Sequence, residues 1–104
     1  MKARLSVIEG KARVTTLELG GQRTYTVGRR SRNDLSIRDR NVSREHCRIE
    51  YDGEFFWLVD NDSANGTFVN GEKVQRYMLQ DGDMLKVGPC TVVFQIVEHD
   101  EKQH

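Results

Sequence analysis

Apolar and polar residues alternate over short stretches of this chain. Leu5 and Val7 are separated by one polar residue, and Val92, Phe94 and Ile96 occupy every second position near the C-terminal end. A period of two places alternate side chains on the same face of a β-strand, whereas a helix requires apolar residues about every 3.6 positions. No segment keeps the helical period. The pattern therefore predicts an all-β chain.

Turn signals separate these short strands. Asn-Gly and Asp-Gly dipeptides supply the positive φ angles that tight turns need. One apolar run, residues 55–59, is continuous and predicts a strand buried on both faces. Closely spaced turns between short strands are typical of a β-sandwich or barrel. The turn dipeptides are Gly20-Gly21, Asp52-Gly53, Asn65-Gly66, Asn70-Gly71, Asp81-Gly82 and Gly88-Pro89.

Length and composition indicate one globular domain. The chain has 104 residues, of which 37% are hydrophobic and 31% charged, a balance that excludes a disordered or membrane-embedded chain. No run approaches the roughly 18 apolar residues of a membrane helix. The first residues are basic, but their apolar stretch is too short for a signal peptide. We expect a cytoplasmic domain over residues 1–98, with residues 99–104 forming a polar tail or the start of a linker.

Charge is distributed unevenly although the formal net charge is zero. Residues 29–48 contain seven arginines against three acidic residues, a local surplus of four positive charges. Such a segment in an otherwise neutral chain favours a local anion as ligand. The near-neutral chain lacks the basic footprint of a nucleic-acid-binding protein, so no nucleic acid is expected as a partner.

The two cysteines, Cys47 and Cys90, are too few for a disulfide framework or a zinc site by themselves. We expect two reduced, half-buried thiols in strands or near strand ends, although the sequence leaves a single bridge open. No metal-ligand cluster, phosphate loop or catalytic triad signature is present. The sequence therefore predicts neither a metal, nor a cofactor, nor an enzymatic activity.

Short motifs occur in a characteristic order. Gly28-Arg29 follows an apolar strand, Ser43 and His46 form an S-x-x-H motif, and Asn65-Gly66-Thr67 is followed by Asn70-Gly71. With the D-G-D segment at residues 81–88, this order resembles the forkhead-associated (FHA) domain over most of the chain. The resemblance implies an antiparallel β-sandwich of two twisted sheets with about eleven short strands. It also implies a module that binds a phosphothreonine-containing segment of a partner protein in signal transduction.

A phosphothreonine carries close to two negative charges and three acceptor oxygens. A guanidinium and a small hydroxyl donor are suited to hold it. By the resemblance, Arg29 and Ser43 are the phosphate contacts, and Arg44 is positioned to add a second cation. The resemblance also implies that the side-chain amide of Asn65 holds the ligand's main chain beside the phosphothreonine.

Two further residues are expected at the rim of this site. In the FHA family, the residue at the position of Asn41 contacts ligand side chains beyond the phosphothreonine, and Arg30 could line the same rim. In several FHA domains a threonine or serine before the N-G-T asparagine also touches the phosphate. Here that residue is Ala64, so one donor is missing.

Other motif residues are expected to shape the binding loops. These are Gly28, His46, Gly66 and Thr67. We predict that His46 is a buried strut bridging backbone groups between loops. Ser43 and His46 do not suggest a nucleophile and its base, because S-x-x-H on an extended segment would direct the two side chains to opposite faces.

The sequence leaves one main alternative function, in which the same loop edge docks a folded partner without phosphate. Nucleic-acid binding through the arginine-rich segment is a second alternative, which the near-neutral charge of the chain disfavours. An enzyme is the third, and the lack of catalytic motifs disfavours it. We expect the isolated domain to be monomeric.

Overall fold

A computed structural model describes residues 1–99, which form two β-sheets packed face to face around one apolar core. The expected tail at 99–104 lies outside the described residues except for His99. The strands are β1 (Lys2–Glu9), β2 (Thr16–Leu19), β3 (Thr24–Gly28), β4 (Leu35–Ser36), β5 (Cys47–Tyr51), β6 (Phe56–Asp60), β7 (Thr67–Val69), β8 (Glu72–Val74), β9 (Arg76–Met78), β10 (Met84–Val87) and β11 (Cys90–Glu98).

The larger sheet has the strand order β2-β1-β11-β10-β7-β8, and the smaller has β4-β3-β5-β6-β9. Neighbouring strands are antiparallel except β3 and β4, which form a short parallel pair. The predicted β-sandwich of about eleven strands is confirmed. The described part of the chain contains no helix long and apolar enough to cross a membrane.

Alternating side chains of both sheets form the core. Leu5 of β1, Ile49 of β5 and Phe94 of β11 are buried, and the rings of Phe56 and Phe94 meet across the two sheets with their centroids 5.7 Å apart. Burying apolar surface in this way supplies the main driving force for folding. The alternation of the sequence therefore identifies the inward faces correctly.

The prediction that residues 55–59 are buried on both faces is wrong. In β6 Phe56 and Leu58 are buried, whereas Trp57 and Val59 lie on the partly exposed outer face and Phe55 precedes the strand in an exposed position. On this outer face the Trp57 ring stacks on the guanidinium of Arg76, 3.9 Å from the ring centroid, and its indole N–H donates to the Asp52 carboxylate over 2.8 Å. These contacts stabilise an aromatic side chain that is only partly buried.

Both cysteines are free and buried, which excludes the bridge left open by the sequence and corrects the expectation of half-burial. Cys47 begins β5 and Cys90 begins β11. Desolvation raises the pKa of the Cys47 thiol to about 12. A thiol held protonated in this way is unreactive in the folded chain.

Three loops that adjoin strands β3, β5 and β6 of the smaller sheet lie together at one end of the sandwich. Val27, Cys47 and Asp60 are aligned across β3, β5 and β6, so the loops at residues 29–34, 37–46 and 61–66 all extend from that row. We call this end of the molecule the loop end. The arginine-rich segment is thereby placed on one edge of the fold.

Candidate binding site at the loop end

Arg29 follows the last residue of β3 and is fixed by two hydrogen bonds. Its backbone N–H donates to the Ser43 carbonyl over 2.9 Å, and its side-chain Nε donates to the Val42 carbonyl over 3.0 Å. The guanidinium is thus held across the loop at 37–46. Because the Nε donor is the one used, the two terminal amino groups remain available for a bidentate contact with an anion.

Ser43 and His46 lie in a turn, and the expectation that this segment is extended is wrong. The Ser43 N–H donates to Nδ1 of His46 over 3.0 Å, and Nε2 of His46 is 2.8 Å from the carbonyl of Gly66. Since Nδ1 accepts a hydrogen bond, it carries no proton, and Nε2 must carry the ring proton and donate it to the Gly66 carbonyl. The buried imidazole therefore joins two loops, which confirms its predicted bridging geometry.

The same contacts exclude a nucleophile-and-base reading of these residues. Both ring nitrogens of His46 are used by backbone groups, so neither is free to take a proton from the Ser43 hydroxyl. Within residues 1–99, moreover, no group of three or more histidine, cysteine or acidic side chains could hold a metal ion.

The loop at 61–66 is fastened to the loop at 37–46 by two further hydrogen bonds. The N–H of Ala64 donates to the Ser43 hydroxyl oxygen over 3.0 Å, and Nδ2 of Asn65 donates to the Asn41 carbonyl over 2.8 Å. Because Ser43 Oγ accepts here, its own hydroxyl proton stays available for an incoming acceptor. Oδ1 of Asn65 has no hydrogen-bond partner among the described residues, so it is open to a ligand donor.

Asp60, at the end of β6, organises the loop that carries Asn65. Its carboxylate accepts from the Ser63 hydroxyl at 2.6 Å, from the Ser63 N–H at 3.0 Å and from the Thr67 hydroxyl at 2.7 Å. Ser63 Oγ in turn accepts from the Gly66 N–H. Burial opposes ionisation of Asp60, but the hydrogen bonds from Ser63 and Thr67 outweigh it and hold its pKa below the usual value.

A close backbone crossing explains Gly28. A Cβ atom at this position would lie 2.3 Å from the carbonyl oxygen of Arg44, so only glycine fits. Nearby, the buried side-chain amide of Asn33 donates to the carbonyls of Arg30 and Arg44, each over 2.9 Å. These contacts hold the loop at 29–34 against the loop at 37–46.

Sequence reasoning missed Asn33 and the network around Asp60 and Ser63. Asn33 carries no motif that separates it from an ordinary turn asparagine. The spacing of Asp60 and Ser63 is a usable signal, because a carboxylate commonly accepts from the backbone two or three residues ahead in a turn.

The predicted contact residues lie together at the loop end, but only some of them are held by hydrogen bonds between loops. Such bonds join the loops that carry Arg29, Ser43 and Asn65, and the Asn41 carbonyl accepts one of them. The side chains of Arg30 and Arg44 are exposed, and their loops are joined through the backbone over 3.3 Å. The arrangement offers cations and a hydroxyl donor to an anion.

Comparison with known proteins agrees with this geometry. The family model of the FHA domain matches residues 25–88. The FHA domain-containing protein FhaA of Mycobacterium tuberculosis is 37% identical over 87 residues, which are 75% of this chain and 16% of FhaA. The glycogen accumulation regulator GarA of Mycolicibacterium smegmatis is 38% identical over 73 residues, which are 70% of this chain and 46% of GarA.

A solved structure gives the same architecture. An FHA domain from a structural and functional analysis of phosphothreonine-dependent FHA domain interactions superposes with a TM-score of 0.85 and 29% sequence identity. The superposition covers 95% of this chain and all of that one. The chain spans less than half the length of the curated relatives described above, so the similarity concerns one domain of each.

Proposed function

Because the chain belongs to the FHA domain family, we propose that it binds a phosphothreonine-containing segment of a partner protein and acts as a regulatory module in signal transduction. The observation that carries the proposal is the fixed pair of Arg29 and Ser43. Their loops are joined by the 2.9 Å bond from the Arg29 N–H to the Ser43 carbonyl. A guanidinium and a free hydroxyl proton on adjoining backbones suit a phosphate dianion.

In this proposal Arg29 forms charge-assisted hydrogen bonds through its terminal amino groups, and Ser43 donates its hydroxyl to another phosphate oxygen. Arg44 adds a second cation from the neighbouring position. Preorganisation supports these roles, since the Arg29 side chain is already oriented by its bond to Val42. A donor that is fixed before binding loses less conformational entropy when the ligand arrives.

The remaining contacts would set the ligand's register. Asn65 holds the main chain beside the phosphothreonine through its Oδ1 atom, and Asn41 and Arg30 contact ligand side chains further along. Exposure of Asn41, Arg30 and Asn65 supports these roles. The main-chain amide of an extended peptide is the donor that an unpaired amide oxygen prefers.

Four residues shape the loops without touching the ligand. Gly28 permits the close crossing at Arg44, and His46 ties the serine turn to Gly66. Thr67 begins β7 and donates to Asp60. These contacts support a structural role for each of them.

Affinity should be moderate and binding reversible. Three or four charge-assisted bonds contribute about 6–10 kcal/mol before costs, and ordering a flexible peptide takes back about 2–5 kcal/mol. With backbone contacts added, the dissociation constant is on the order of micromolar. We further propose that residues 1–98 are the binding domain, that the domain is monomeric and cytoplasmic, and that it has no catalytic activity.

A peptide titration tests the proposal. Fluorescent peptides from a degenerate library, each prepared with phosphothreonine, phosphoserine or unmodified threonine, are titrated against the wild-type chain. The expected result is micromolar binding of phosphothreonine peptides and at least about tenfold weaker binding of the others. Phosphatase treatment of a bound peptide should release it.

An affinity that survives dephosphorylation would contradict the proposal. That outcome favours the phospho-independent alternative, in which the loop end docks a partner surface. Equal affinity for the unphosphorylated and the phosphorylated peptides would likewise contradict the proposal and favour phospho-independent docking.

A further inference from the structure

Beside the site described above lies a second cationic surface, formed by the loop between β1 and β2 and by the start of the loop at 37–46. Lys11, Arg13 and Arg38 line an open groove there, and all three side chains are exposed. Within the described range 1–99, the charged group of none of these side chains forms a hydrogen bond or ion pair with another residue. We call this surface the side groove.

The acidic residues closest in sequence, Asp39 and Glu9, form no ion pair with the three cations of the side groove within residues 1–99. Asp39 instead accepts a hydrogen bond from the Asn41 N–H within its own turn, over 2.8 Å, and Glu9 accepts one from the Thr91 hydroxyl over 2.7 Å. Some exposed cations elsewhere on the sandwich are paired, as in Arg4 with Glu18. Like charges left together without partners raise the local potential and attract an anion.

The loop that carries Lys11 and Arg13 is fixed. Gly10 has a φ of +89°, and a Cβ atom there would lie 2.7 Å from the sulfur of Cys90. The buried Cys90 thiol is 3.5 Å from the Lys11 carbonyl, and the Arg13 N–H donates to the Ser36 carbonyl over 3.4 Å. The cations therefore project from an anchored backbone and not from a free loop.

Ser36 also connects the side groove to the phosphate contacts. Its carbonyl accepts from Arg13, while its hydroxyl lies 3.5 Å from the Arg29 carbonyl. These two short links place the backbones of Arg13 and Arg29 within roughly 10 Å. Since an extended peptide advances about 3.3–3.6 Å per residue, about three ligand residues span the backbone interval. The long side chains of Arg13 and Arg38 extend beyond their backbones, which widens the range to about three to five residues.

On this basis we propose that the side groove binds a second anionic side chain of the same phosphothreonine ligand. The inference rests on the proposed function, because it assigns the two sites to one peptide. The shared chemistry is an anionic oxygen group, which an acidic residue or a second phosphorylated residue supplies. The ligand class is therefore a phosphothreonine segment with an acidic or doubly phosphorylated flank.

The test uses fluorescence anisotropy with four kinds of peptide. One has a single phosphothreonine and neutral flanks, two add an acidic pair three to five residues before or after it, and the last carries a second phosphothreonine in the better of those positions. Wild-type protein should bind the peptide with the favourable acidic flank about three- to tenfold more tightly than the neutral one. The second phosphate should give at least as large a gain if the groove takes phosphate as well as carboxylate.

Two double variants locate the effect. In R13Q/R38Q the gain should fall below about twofold, while affinity for the neutral-flank peptide stays within about twofold of wild type. The control K2Q/R23Q removes the same charge at the opposite end of the sandwich and should keep the gain. Both variants change exposed side chains, and thermal melting confirms that each is folded.

Several results would overturn the side groove as a subsite. An equal loss of gain in both double variants would indicate a long-range field, and equal binding of neutral and acidic peptides would remove the effect altogether. If the neutral-flank phosphopeptide binds but the acidic flank does not increase affinity, the subsite is overturned and the proposed function stands. Absence of binding by every phosphopeptide overturns both the subsite and the proposed function.

Discussion

Ala64 is the residue at which this chain departs from the FHA domains that carry threonine or serine before the N-G-T asparagine. Its side chain is exposed, and its N–H already donates to the Ser43 hydroxyl oxygen. A hydroxyl added at this position would project beside the proposed phosphate contacts. The local backbone bond does not depend on the side chain, so the position tolerates the change.

The variant Ala64→Thr should therefore bind a phosphothreonine peptide about three- to tenfold more tightly than wild type. One additional hydrogen bond to a charged oxygen accounts for this gain, discounted for solvent exposure. Isothermal titration calorimetry measures it, and Ala64→Val, which matches the shape without the hydroxyl, serves as the control. Equal gains in the two variants would contradict a contact with phosphate.

His46 combines complete burial with two bonds to backbone groups of different loops. The sequence predicted its bridging geometry, but the turn at 43–46 that makes the bridge possible was missed, because three-residue spacing alone does not distinguish a turn from an extended segment. The imidazole replaces water for a buried N–H and a buried carbonyl. Its removal should affect the stability of the whole fold.

We expect His46→Ala to lower the free energy of unfolding by about 2–4 kcal/mol, from two unsatisfied backbone groups and the cavity left behind. Urea denaturation followed by tryptophan fluorescence measures this through Trp57. Arg23→Ala, an exposed change at the far end, should stay within about 0.5 kcal/mol of wild type. A His46→Ala variant as stable as this control would show that the bridge contributes nothing.

At the scale of elements, strands were more predictable than loops. Alternation identified the inward faces of β1, β5 and β11, because burial on one side of a sheet imposes a period of two. It failed for β6, where residues 55–59 look equally apolar but Trp57 lies on the outer face, stacked on Arg76. Contacts between residues distant in sequence leave no periodic signal.

The loops of the site show the same limit. Motif order indicated which loops converge, and the resemblance supplied the candidate contacts. The network from Asp60 through Ser63 to Gly66 depends on the shape of one loop and was not predicted. It nevertheless decides where Asn65 stands relative to Ser43.

The variant Asp60→Asn should be less stable than wild type by about 1–3 kcal/mol at pH 7, because the amide would present N–H groups to a backbone N–H or a hydroxyl. The pKa of Asp60 is lowered in the folded chain, so its ionised form contributes stability above the unfolded pKa of about 3.9. That contribution is lost as pH falls through the folded pKa.

Denaturation at several pH values tests this sign. The stability difference between wild type and Asp60→Asn should be constant from pH 5 to pH 8 and should shrink below about pH 4. A difference that grows on acidification would mean that Asp60 is protonated in the native network.

For the whole molecule, the central feature is an asymmetric distribution of charge on a neutral sandwich. Arg29, Arg30 and Arg44 carry no ion pair within the described residues and lie at the loop end, where Arg32 is paired with Glu45 over 3.5 Å. At the far end Lys2 is paired with Glu98. Composition alone revealed the surplus in residues 29–48. Only the fold showed that Lys11 and Arg13, from a different part of the chain, join the same edge.

Binding should weaken as pH falls from 7.5 to 5.5, by about three- to tenfold. The second ionisation of a phosphothreonine lies near pH 6, so the ligand loses charge over this interval, while the arginines of the site stay protonated. Affinities measured at both pH values check the expectation, with thermal melts to confirm that the domain is folded throughout. Unchanged affinity would argue against recognition of a phosphate dianion.

The most direct test of the account is the affinity of Arg29→Ala for a phosphothreonine peptide that binds wild type, with Arg23→Ala as the matched loss of one exposed arginine. Losing the charge-assisted contacts of Arg29 should weaken binding about 10- to 100-fold while the variant stays folded, and Arg23→Ala should bind like wild type. Binding by folded Arg29→Ala within about twofold of wild type would contradict the claim that this loop end recognises phosphothreonine.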